Sequence, residues 1–193
     1  MTARSSPPPE PPDSDVVAAA AGDPEAFGLL FERHARAVHS FLARRAGTTT
    51  ADDLLGEVFV TAFDVRGRYD MSASDARPWL YGIARNLVLA RGRGERRRAA
   101  AVARLPLDRP ADDWPQVDDR LDARAAVRTA RDALRTLPDA EREVLELVAW
   151  EDLTPTEAAL VLGIPAGTAR SRLHRARAAL RGALPAAPLA QEA

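Results

Sequence analysis

Residues 154–180 have the sequence TPTEAALVLGIPAGTARSRLHRARAAL. Thr154 followed by Glu157 predicts a capping box, in which each side chain bonds the backbone N–H of the other at the start of a helix. Gly163 predicts the end of that helix, and a second helix is predicted over residues 168–180. Two helices separated by three or four residues around a glycine have the spacing of a helix-turn-helix. This pattern predicts a helical unit that binds DNA.

The second helix has a packed stripe and an outward face. Alanine and leucine recur at spacings of three and four along the stripe, at positions 166, 169, 173, 176 and 180. The outward and flanking positions hold Thr168, Arg170, Ser171, Arg172, His174, Arg175, Arg177 and Arg181. A recognition helix has this pattern, with Ser171 and Arg175 facing base edges and the flanking arginines facing phosphates. A solvated arginine-rich face is the alternative, but no acidic residue lies four positions away to pair these cations.

Charge is segregated along the chain, although 27 basic and 28 acidic residues nearly cancel. Residues 77–98 hold seven arginines and one acid, and residues 166–182 hold five arginines and no acid. Residues 105–122 hold six aspartates against two arginines. The two basic blocks predict two electrostatic footprints. Every basic residue is arginine, so each can form a bidentate contact with phosphate or guanine.

Proline and charge divide the chain into two domains. Helical periodicity covers residues 13–98 and returns over residues 122–184, while strand-like alternation is nearly absent. Residues 99–121 carry prolines and the acidic cluster, which predicts a flexible acidic linker. Residues 1–12, which are rich in proline, and residues 185–193 are predicted to be tails. The predicted fold class is all-α, with two small helical domains joined by the linker.

Several functional classes are excluded by what the sequence lacks. No apolar run approaches the roughly 18 residues of a membrane span, and residues 1–12 contain no apolar signal-peptide core. We therefore expect a cytoplasmic protein without membrane insertion. The chain has no cysteine, the spacing of His34 and His39 is wrong for paired metal ligands, and no phosphate-binding loop or nucleophile motif occurs. We expect no enzyme activity, no metal, no cofactor and no small-molecule substrate.

An amphipathic helix is predicted over residues 22–42. Asp23 predicts its cap, and Pro24 suits its first turn. The apolar side of this helix is supplied by Phe27, Leu30, Phe31, Val38 and Phe41.

The next predicted helix, over residues 51–65, has an acidic face. Asp53, Glu57 and Asp64 share this face at spacings of four and seven, while Leu54 and Val58 belong to the apolar side. Acids four residues apart with no nearby cation cost a few tenths of a kcal/mol. The face is either simply solvated or a docking surface for a basic partner helix.

Residues 77–86 (RPWLYGIARN) combine a proline at a helix start with an aromatic residue and an amide. Trp79, Ile83 and Asn86 lie on one side of the predicted helix. Core packing is one interpretation of the tryptophan. The other is that the ring and the amide hold an unstacked base by stacking and edge hydrogen bonds. The arginines that follow would form a cationic track along the DNA backbone.

Four stretches in the C-terminal half resemble a known family. Residues 137–145 (LPDAEREVL), 156–159 (TEAA), 162–165 (LGIP) and 167–173 (GTARSRL) resemble region 4 of the extracytoplasmic-function (ECF) sigma factors of bacterial RNA polymerase, a group of the sigma-70 family. The resemblance implies recognition of the −35 promoter element by Thr168, Arg170, Ser171, Arg172, His174, Arg175 and Arg177. The helix-turn-helix of LuxR-type response regulators is similar over this half, so a stand-alone DNA-binding regulator is an alternative function.

The N-terminal half resembles region 2 of the same family. Residues 52–59 (DDLLGEVF) resemble the helix that binds the clamp coiled coil of the largest polymerase subunit, and residues 77–86 resemble the segment that lies against the opened −10 element. The resemblance implies a core polymerase-binding set of Asp52, Asp53, Leu54, Glu57 and Val58. It implies a −10 set of Trp79, Ile83, Arg85, Asn86, Arg91 and Arg93, with a loop at residues 67–76 that receives an extruded base.

The implied function is that of an ECF sigma factor that directs core RNA polymerase to specific promoters. It would initiate transcription through −35 recognition and −10 opening. The implied partners are core RNA polymerase and promoter DNA. An anti-sigma factor is a further expected partner, because the family is often held inactive by one.

Overall fold

A computed structural model describes residues 10–102 and 132–183 of the 193-residue chain. The chain divides into two compact units, with the boundary between the two described ranges. Most of the predicted linker, residues 1–9 of the predicted N-terminal tail and the whole predicted C-terminal tail lie outside the described residues, as do residues 122–131 of the predicted second domain. No described residue is in a β-strand, and the predicted all-α fold class is confirmed. Among the described helices, none has the length and apolar character needed to span a membrane.

The N-terminal unit is built on three helices that pack against one another, with a short helix before them. Its α-helices are α1 (Asp13–Ala19), α2 (Gly28–Ala46), α3 (Thr48–Asp64) and α4 (Arg77–Val102). The 3-10 turns Pro24–Phe27 and Arg66–Arg68 precede α2 and follow α3. Packing of α2, α3 and α4 forms the core of the unit.

Large apolar side chains from all three helices fill this core. The fully buried ones include Leu30, Val38, Phe41, Leu42, Val58, Leu80 and Tyr81. The rings of Phe41 and Tyr81 stack with their centroids 4.7 Å apart, which ties α2 to α4. Only Gly47 separates α2 from α3, and its φ of 80° is a conformation that glycine adopts without strain.

The helix predicted over residues 22–42 begins differently in the structure. Asp23 caps as predicted, with its side chain accepting the Glu25 N–H at 3.0 Å. The residues after this cap form a tight 3-10 turn, which is common at helix starts, and the α-helix begins only at Gly28. Phe31 was expected in the core but is 44% exposed, with its ring edge-on to Phe59 at 4.9 Å.

The C-terminal unit contains α5 (Asp139–Trp150), α6 (Pro155–Leu162) and α7 (Ala166–Ala183), and residues 132–136 are also helical. Its core draws on α5, α6 and α7. The buried members of this core are Leu137, Val144, Leu145, Ala159, Ala169, Leu173 and Ala176. The predicted packed stripe of α7 therefore faces the core.

Hydrogen bonds fix both ends of α6, and those at its C-terminal end form the turn to α7. Thr154 and Glu157 form the predicted capping box, with the Thr154 N–H donating to Glu157 Oε2 at 2.7 Å. Gly163 ends the helix in the left-handed conformation at φ 65°. Its N–H bonds the Leu160 carbonyl, and the next N–H, of Ile164, bonds the Ala159 carbonyl at 3.0 Å, the paired bonds of a Schellman motif. The predicted helix-turn-helix is confirmed.

Candidate nucleic-acid interface and partner-binding surfaces

The outward face of α7 is cationic. Arg170, Ser171, His174, Arg175 and Arg177 are exposed, and Thr168 and Arg172 are half-buried. The structure thus brings together all seven residues of the predicted −35 set on a single helix. The flanking arginines 170, 172 and 177 have no hydrogen-bond or ion-pair partner among the residues that the structure describes. These guanidinium groups are available to bind phosphate.

Arg175 has an acidic partner that the sequence analysis missed. Its Nε lies 2.6 Å from Oε1 of Glu141, on α5, whose side chain is only 15% exposed. Within α7 itself the expectation that no acid pairs these arginines is correct. For Arg175 the expectation is wrong in the folded protein, because Glu141, 34 residues earlier in the chain and on another helix, supplies a carboxylate. Ser171 also has an internal bond, donating its hydroxyl to the Thr168 carbonyl at 2.9 Å.

The first turns of α4 present an aromatic and amide surface. Trp79 and Ile83 are half-buried and Asn86 is exposed. The Trp79 ring meets the buried Tyr69 ring edge-on, with centroids 5.1 Å apart. Part of the tryptophan side chain is therefore packed, as the first interpretation requires, and part is accessible. Base stacking stays a prediction for the accessible part.

Further along α4, the arginines of the predicted −10 set differ in exposure. Arg85 is half-buried, whereas Arg91 and Arg93 are exposed. Arg91 is also bonded within the unit, with Nη2 lying 3.3 Å from Asp53 Oδ2 and Nε lying 3.3 Å from Glu95 Oε1. One residue of the predicted DNA track thus contacts the predicted polymerase surface.

The loop at residues 67–76 is held by its own hydrogen bonds. The Tyr69 hydroxyl donates to the Ala73 carbonyl at 2.7 Å. The Asp70 carboxylate accepts the backbone N–H of Ser72 at 3.0 Å and its hydroxyl at 2.7 Å. Burial raises the pKa of Tyr69 to about 12, assisted by the negative charges of neighbouring aspartates. The loop is therefore an ordered turn with a neutral phenol at its base.

Asp13, at the start of α1, anchors the other end of this loop. Its Oδ2 accepts the Ala76 N–H at 2.8 Å, and its own N–H donates to the Ser74 carbonyl at 3.2 Å. The same carboxylate lies 2.7 Å from His34 Nε2 and accepts from Arg33 Nη1 at 2.9 Å. Nothing in the sequence pattern predicts this arrangement, because the contacts span 20 to 63 residues.

The charge of Asp13 is stabilised by its bonding partners. Burial alone raises the pKa of this carboxyl, but the Ala76 amide, Arg33 and His34 more than offset that effect and hold its pKa below the ordinary value. Ligand atoms of Asp13, His34 and Asp75 lie within 4.8 Å of one another, as a metal site requires. The donors already bonded to Asp13 explain this cluster as a hydrogen-bonded anchor, so the site needs no metal.

The acidic residues of α3 are exposed as predicted, but their apolar neighbours are not. The side chains of Asp52 and Asp53 are 72% and 60% exposed, and Glu57 is also exposed. Leu54 and Val58, at 3% and 0% exposed, belong to the three-helix core. The exposed members of the predicted polymerase-binding set are therefore Asp52, Asp53 and Glu57, while Leu54 and Val58 pack on the inner face of α3. The set itself stays a prediction.

Side chains from neighbouring helices lie beside these acids. His39 Nε2, on α2, lies 2.9 Å from Asp52 Oδ1, and Arg91, on α4, pairs with Asp53. Within α3 no cation lies beside these acids, as expected. The expectation is wrong once the neighbouring helices are included, because Arg91 on α4 pairs with Asp53. Glu57 has no hydrogen-bond or ion-pair partner among the described residues, so one carboxylate of this surface is uncompensated.

Family models match both units of the chain. The model for sigma-70 region 2 matches residues 30–98, and the model for sigma-70 region 4 matches residues 128–180. The first match contains most of α2, all of α3, the loop and most of α4, and the second contains α5, α6 and most of α7.

Individual proteins are similar over most of the chain. The ECF RNA polymerase sigma factor SigM of Mycobacterium tuberculosis is 37% identical over 164 residues, which are 83% of this chain and 78% of SigM. The solved structure of CnrH in complex with the cytosolic domain of CnrY is 27% identical, with a TM-score of 0.58 over 88% of this chain and 95% of that chain. The sigma factor RpoE of Bartonella quintana, solved with the anti-sigma factor NepR, is 23% identical and shares the fold, with a TM-score of 0.62 over 81% of this chain and 94% of that chain.

Proposed function

Because this chain belongs to the ECF sigma factors of the sigma-70 family, we propose that its two helical units recognise two promoter elements on behalf of core RNA polymerase. Sigma factors of this kind direct core RNA polymerase to specific promoters, where transcription then begins. A stand-alone LuxR-type regulator is not favoured, because it leaves the region 2 match over residues 30–98 unexplained.

The exposed cationic face of α7 is the observation that carries the −35 assignment. A helix that follows a glycine turn and exposes arginines on its outer side has the geometry of a major-groove recognition helix. Ser171 and Arg175 occupy the centre of the outward face and are assigned to base edges. Arg170, Arg172 and Arg177 are assigned to flanking phosphates, which set register and supply salt-dependent affinity.

Opening of the −10 element is assigned to α4 and the 67–76 loop. The accessible part of Trp79 offers a stacking surface, and the exposed Asn86 offers an amide that can bond a base edge. An extruded base would lie between these residues and the loop. Arg93 lies further along the exposed side of α4, where a phosphate contact holds the separated strand.

Core polymerase binding is assigned to the acids of α3. Asp52, Asp53 and Glu57 form an exposed anionic surface on a rigid helix, which suits docking onto a basic helix of the partner. Phosphodiester chemistry is assigned to the polymerase, so this chain has no catalytic residue in the mechanism. The proposed location is the cytoplasm, where bacterial polymerase and promoter DNA meet.

An anti-sigma factor is the third proposed partner. The structural relative RpoE was solved with the anti-sigma factor NepR. A regulator that covers the acidic surface of α3 or the cationic face of α7 would prevent docking on polymerase or on the −35 element.

Run-off transcription tests the proposed function. Core RNA polymerase transcribes fragmented genomic DNA with and without the full chain, and discrete new transcripts that require the protein are the expected result. Their start sites give the promoter sequence directly. If no transcript appears while the protein alone binds specific DNA sequences, the sigma function is wrong and the stand-alone regulator is favoured.

A further inference from the structure

Asp13 is a buried carboxylate that the proposed function leaves without a role. It is 5% exposed at the first residue of α1. Its bonds to Arg33 and His34 hold it against α2, and its bonds to Ser74 and Ala76 hold the end of the 67–76 loop. One residue, through its carboxylate and its backbone N–H, therefore joins two helices to the loop assigned to the extruded base.

The loop end held by Asp13 is short and carries several hydrogen bonds. Ser74 and Ala76 flank Asp75, whose carboxylate accepts the N–H and the Nε–H of Arg77 at 2.8 Å each. Three consecutive residues are thus fixed between α1 and the start of α4. Without the Asp13 carboxylate, the buried Ala76 N–H would lose its acceptor, while Arg33 would lose one anionic partner and keep its bond to the Pro11 carbonyl. The loop end would have to move toward water to satisfy the Ala76 N–H.

The other end of the loop is tied to the proposed stacking surface. Tyr69 is 6% exposed, bonds Ala73 through its hydroxyl and contacts the Trp79 ring. Between the two ends, the exposed tip contains Met71 and Ser72. Because both ends are fixed, a shift at Asp13 changes the position of the tip relative to Trp79.

We infer that Asp13 is a positioning residue for promoter opening, which sets the place of the 67–76 loop and thereby the choice of the extruded −10 base. The residue acts through the loop and does not touch DNA. This inference rests on the proposed function of the loop and goes beyond it, because it assigns base selection to a side chain in α1.

The test compares Asp13→Ala, Asp13→Asn and Asp15→Asn in the full chain bound to core polymerase. The probes are four fork-junction DNA duplexes that differ only at the extruded −10 base. Asp15 lies two residues away on the same helix and is exposed, so Asp15→Asn is a matched control for charge loss. Affinity for core polymerase and for an isolated −35 duplex is measured in parallel.

The expected result is that Asp13→Ala reduces discrimination among the four probes by about tenfold, the scale of one lost charge-assisted hydrogen bond. Core and −35 affinity stay within twofold of wild type. Asp13→Asn restores part of the discrimination, because its amide oxygen still accepts from Ala76. Asp15→Asn leaves all three measurements unchanged.

Two results would overturn the positioning role alone. One is unchanged discrimination in Asp13→Ala. The other is an equal loss of core affinity and discrimination in both Asp13 variants, which would show a purely structural residue. If wild type itself failed to discriminate among the probes, the proposed function of the loop would be wrong, and the positioning role with it.

Asp13→Asn keeps the test decisive if Asp13→Ala does not fold. Amide hydrogen exchange of Ala76 is then measured in wild type, Asp13→Asn and Asp15→Asn. Faster exchange at Ala76 together with weaker base discrimination, in Asp13→Asn only, is the expected pair of results. Discrimination that stays at the wild-type level despite faster exchange would contradict the inference.

Discussion

The guanidinium of Arg175 is held at one nitrogen, and this decides how it can meet DNA. Glu141 takes the Nε–H, while the two terminal nitrogens have no partner among the described residues. A bidentate contact to guanine uses two N–H groups of the fork. The Glu141 carboxylate thus orients Arg175 and leaves free the two terminal nitrogens that are proposed to bond a base.

Arg175→Ala is expected to weaken −35 binding by about 1–3 kcal/mol at one base position and to relax selectivity there. Because this variant leaves Glu141 unpaired near the DNA phosphates, overall affinity falls as well. The double variant Arg175→Ala with Glu141→Ala removes that repulsion, so overall affinity recovers while selectivity does not. Binding to −35 duplexes substituted at each position measures both quantities.

Arg170→Ala is the matched comparison on the same helix. Loss of a phosphate contact weakens binding to every duplex equally and lowers the slope of log affinity against log salt by about one. A base-specific loss in Arg170→Ala, or an Arg175→Ala variant that binds more weakly but keeps its base selectivity, would reverse the two assignments.

Tyr69 makes stability depend on alkaline pH. Its pKa is about 12 in the fold against 10.0 ordinarily, so the folded state favours the neutral phenol. This contribution is fully present below pH 10 and is lost as the pH rises through about 12, an effect of about 3 kcal/mol. Urea unfolding over this range is expected to show a decline that Tyr69→Phe lacks. An equally steep decline in Tyr69→Phe would assign the effect to another group.

The contacts that the sequence does not predict are those between residues far apart in the chain. Glu141 with Arg175, Asp13 with Ala76 and Asp53 with Arg91 are separated by 34, 63 and 38 residues. Helical periodicity predicts which face of a helix a residue occupies, and it did so for α7. It carries no information on which side chain of another helix lies opposite.

At the scale of elements, the capping residues and the glycine of α6 predicted where that helix begins and ends. The Thr154 box and the Gly163 turn lie where the sequence places them, because both signals are local hydrogen-bonding chemistry. The start of α2 was missed by four residues, since Asp23 and Pro24 suit a 3-10 turn as well as an α-helix. Leu54 and Val58 were grouped with Asp53 by the family resemblance of residues 52–59, although helical periodicity already placed them on the apolar side of α3, where they are buried.

Gly94 is expected to weaken α4, which continues through it to Val102. An added Cβ at this position meets no atom within 4 Å, so Gly94→Ala should stabilise the helix by about 0.5–1 kcal/mol. Amide hydrogen exchange along this part of α4 should slow by up to about fivefold, the rate equivalent of that energy.

Gly163→Ala is the opposite case, because its φ of 65° disfavours any side chain. We expect a loss of about 1 kcal/mol in the stability of the C-terminal unit and weaker −35 binding as the turn relaxes. Stabilisation by Gly163→Ala, or destabilisation by Gly94→Ala, in urea unfolding would contradict these assignments.

At the scale of the whole molecule, substitutions in one unit are expected to weaken the binding assigned to that unit and to leave the binding assigned to the other unit unchanged. Asp53→Ala with Glu57→Ala should reduce affinity for core polymerase roughly tenfold and leave binding to an isolated −35 duplex unchanged. Ser171→Ala with Arg175→Ala should do the reverse. Asp15→Ala with Glu25→Ala, which removes two exposed carboxylates outside α3, is the charge control. If either functional pair gave the phenotype of the other, the assignment of the two units would be wrong.

The division into two helical units was predictable because proline, glycine and charge change together along the chain. The family of each unit was predictable because short motifs record local contacts, such as the capping box of α6. The anchor at Asp13 was not, since it depends on how α1 packs against the loop, and no short motif encodes that packing.

Arg91 is expected to couple polymerase binding to promoter binding in the N-terminal unit. Its guanidinium cannot neutralise Asp53 and a DNA phosphate at the same time. A polymerase cation that replaces it at Asp53 releases Arg91 toward the promoter, and by reciprocity promoter binding uncovers Asp53 for the polymerase. Since an exposed ion pair is worth at most about 1 kcal/mol, each partner would raise affinity for the other by no more than about fivefold. A modest thermodynamic linkage of this kind favours the ternary complex over either binary one.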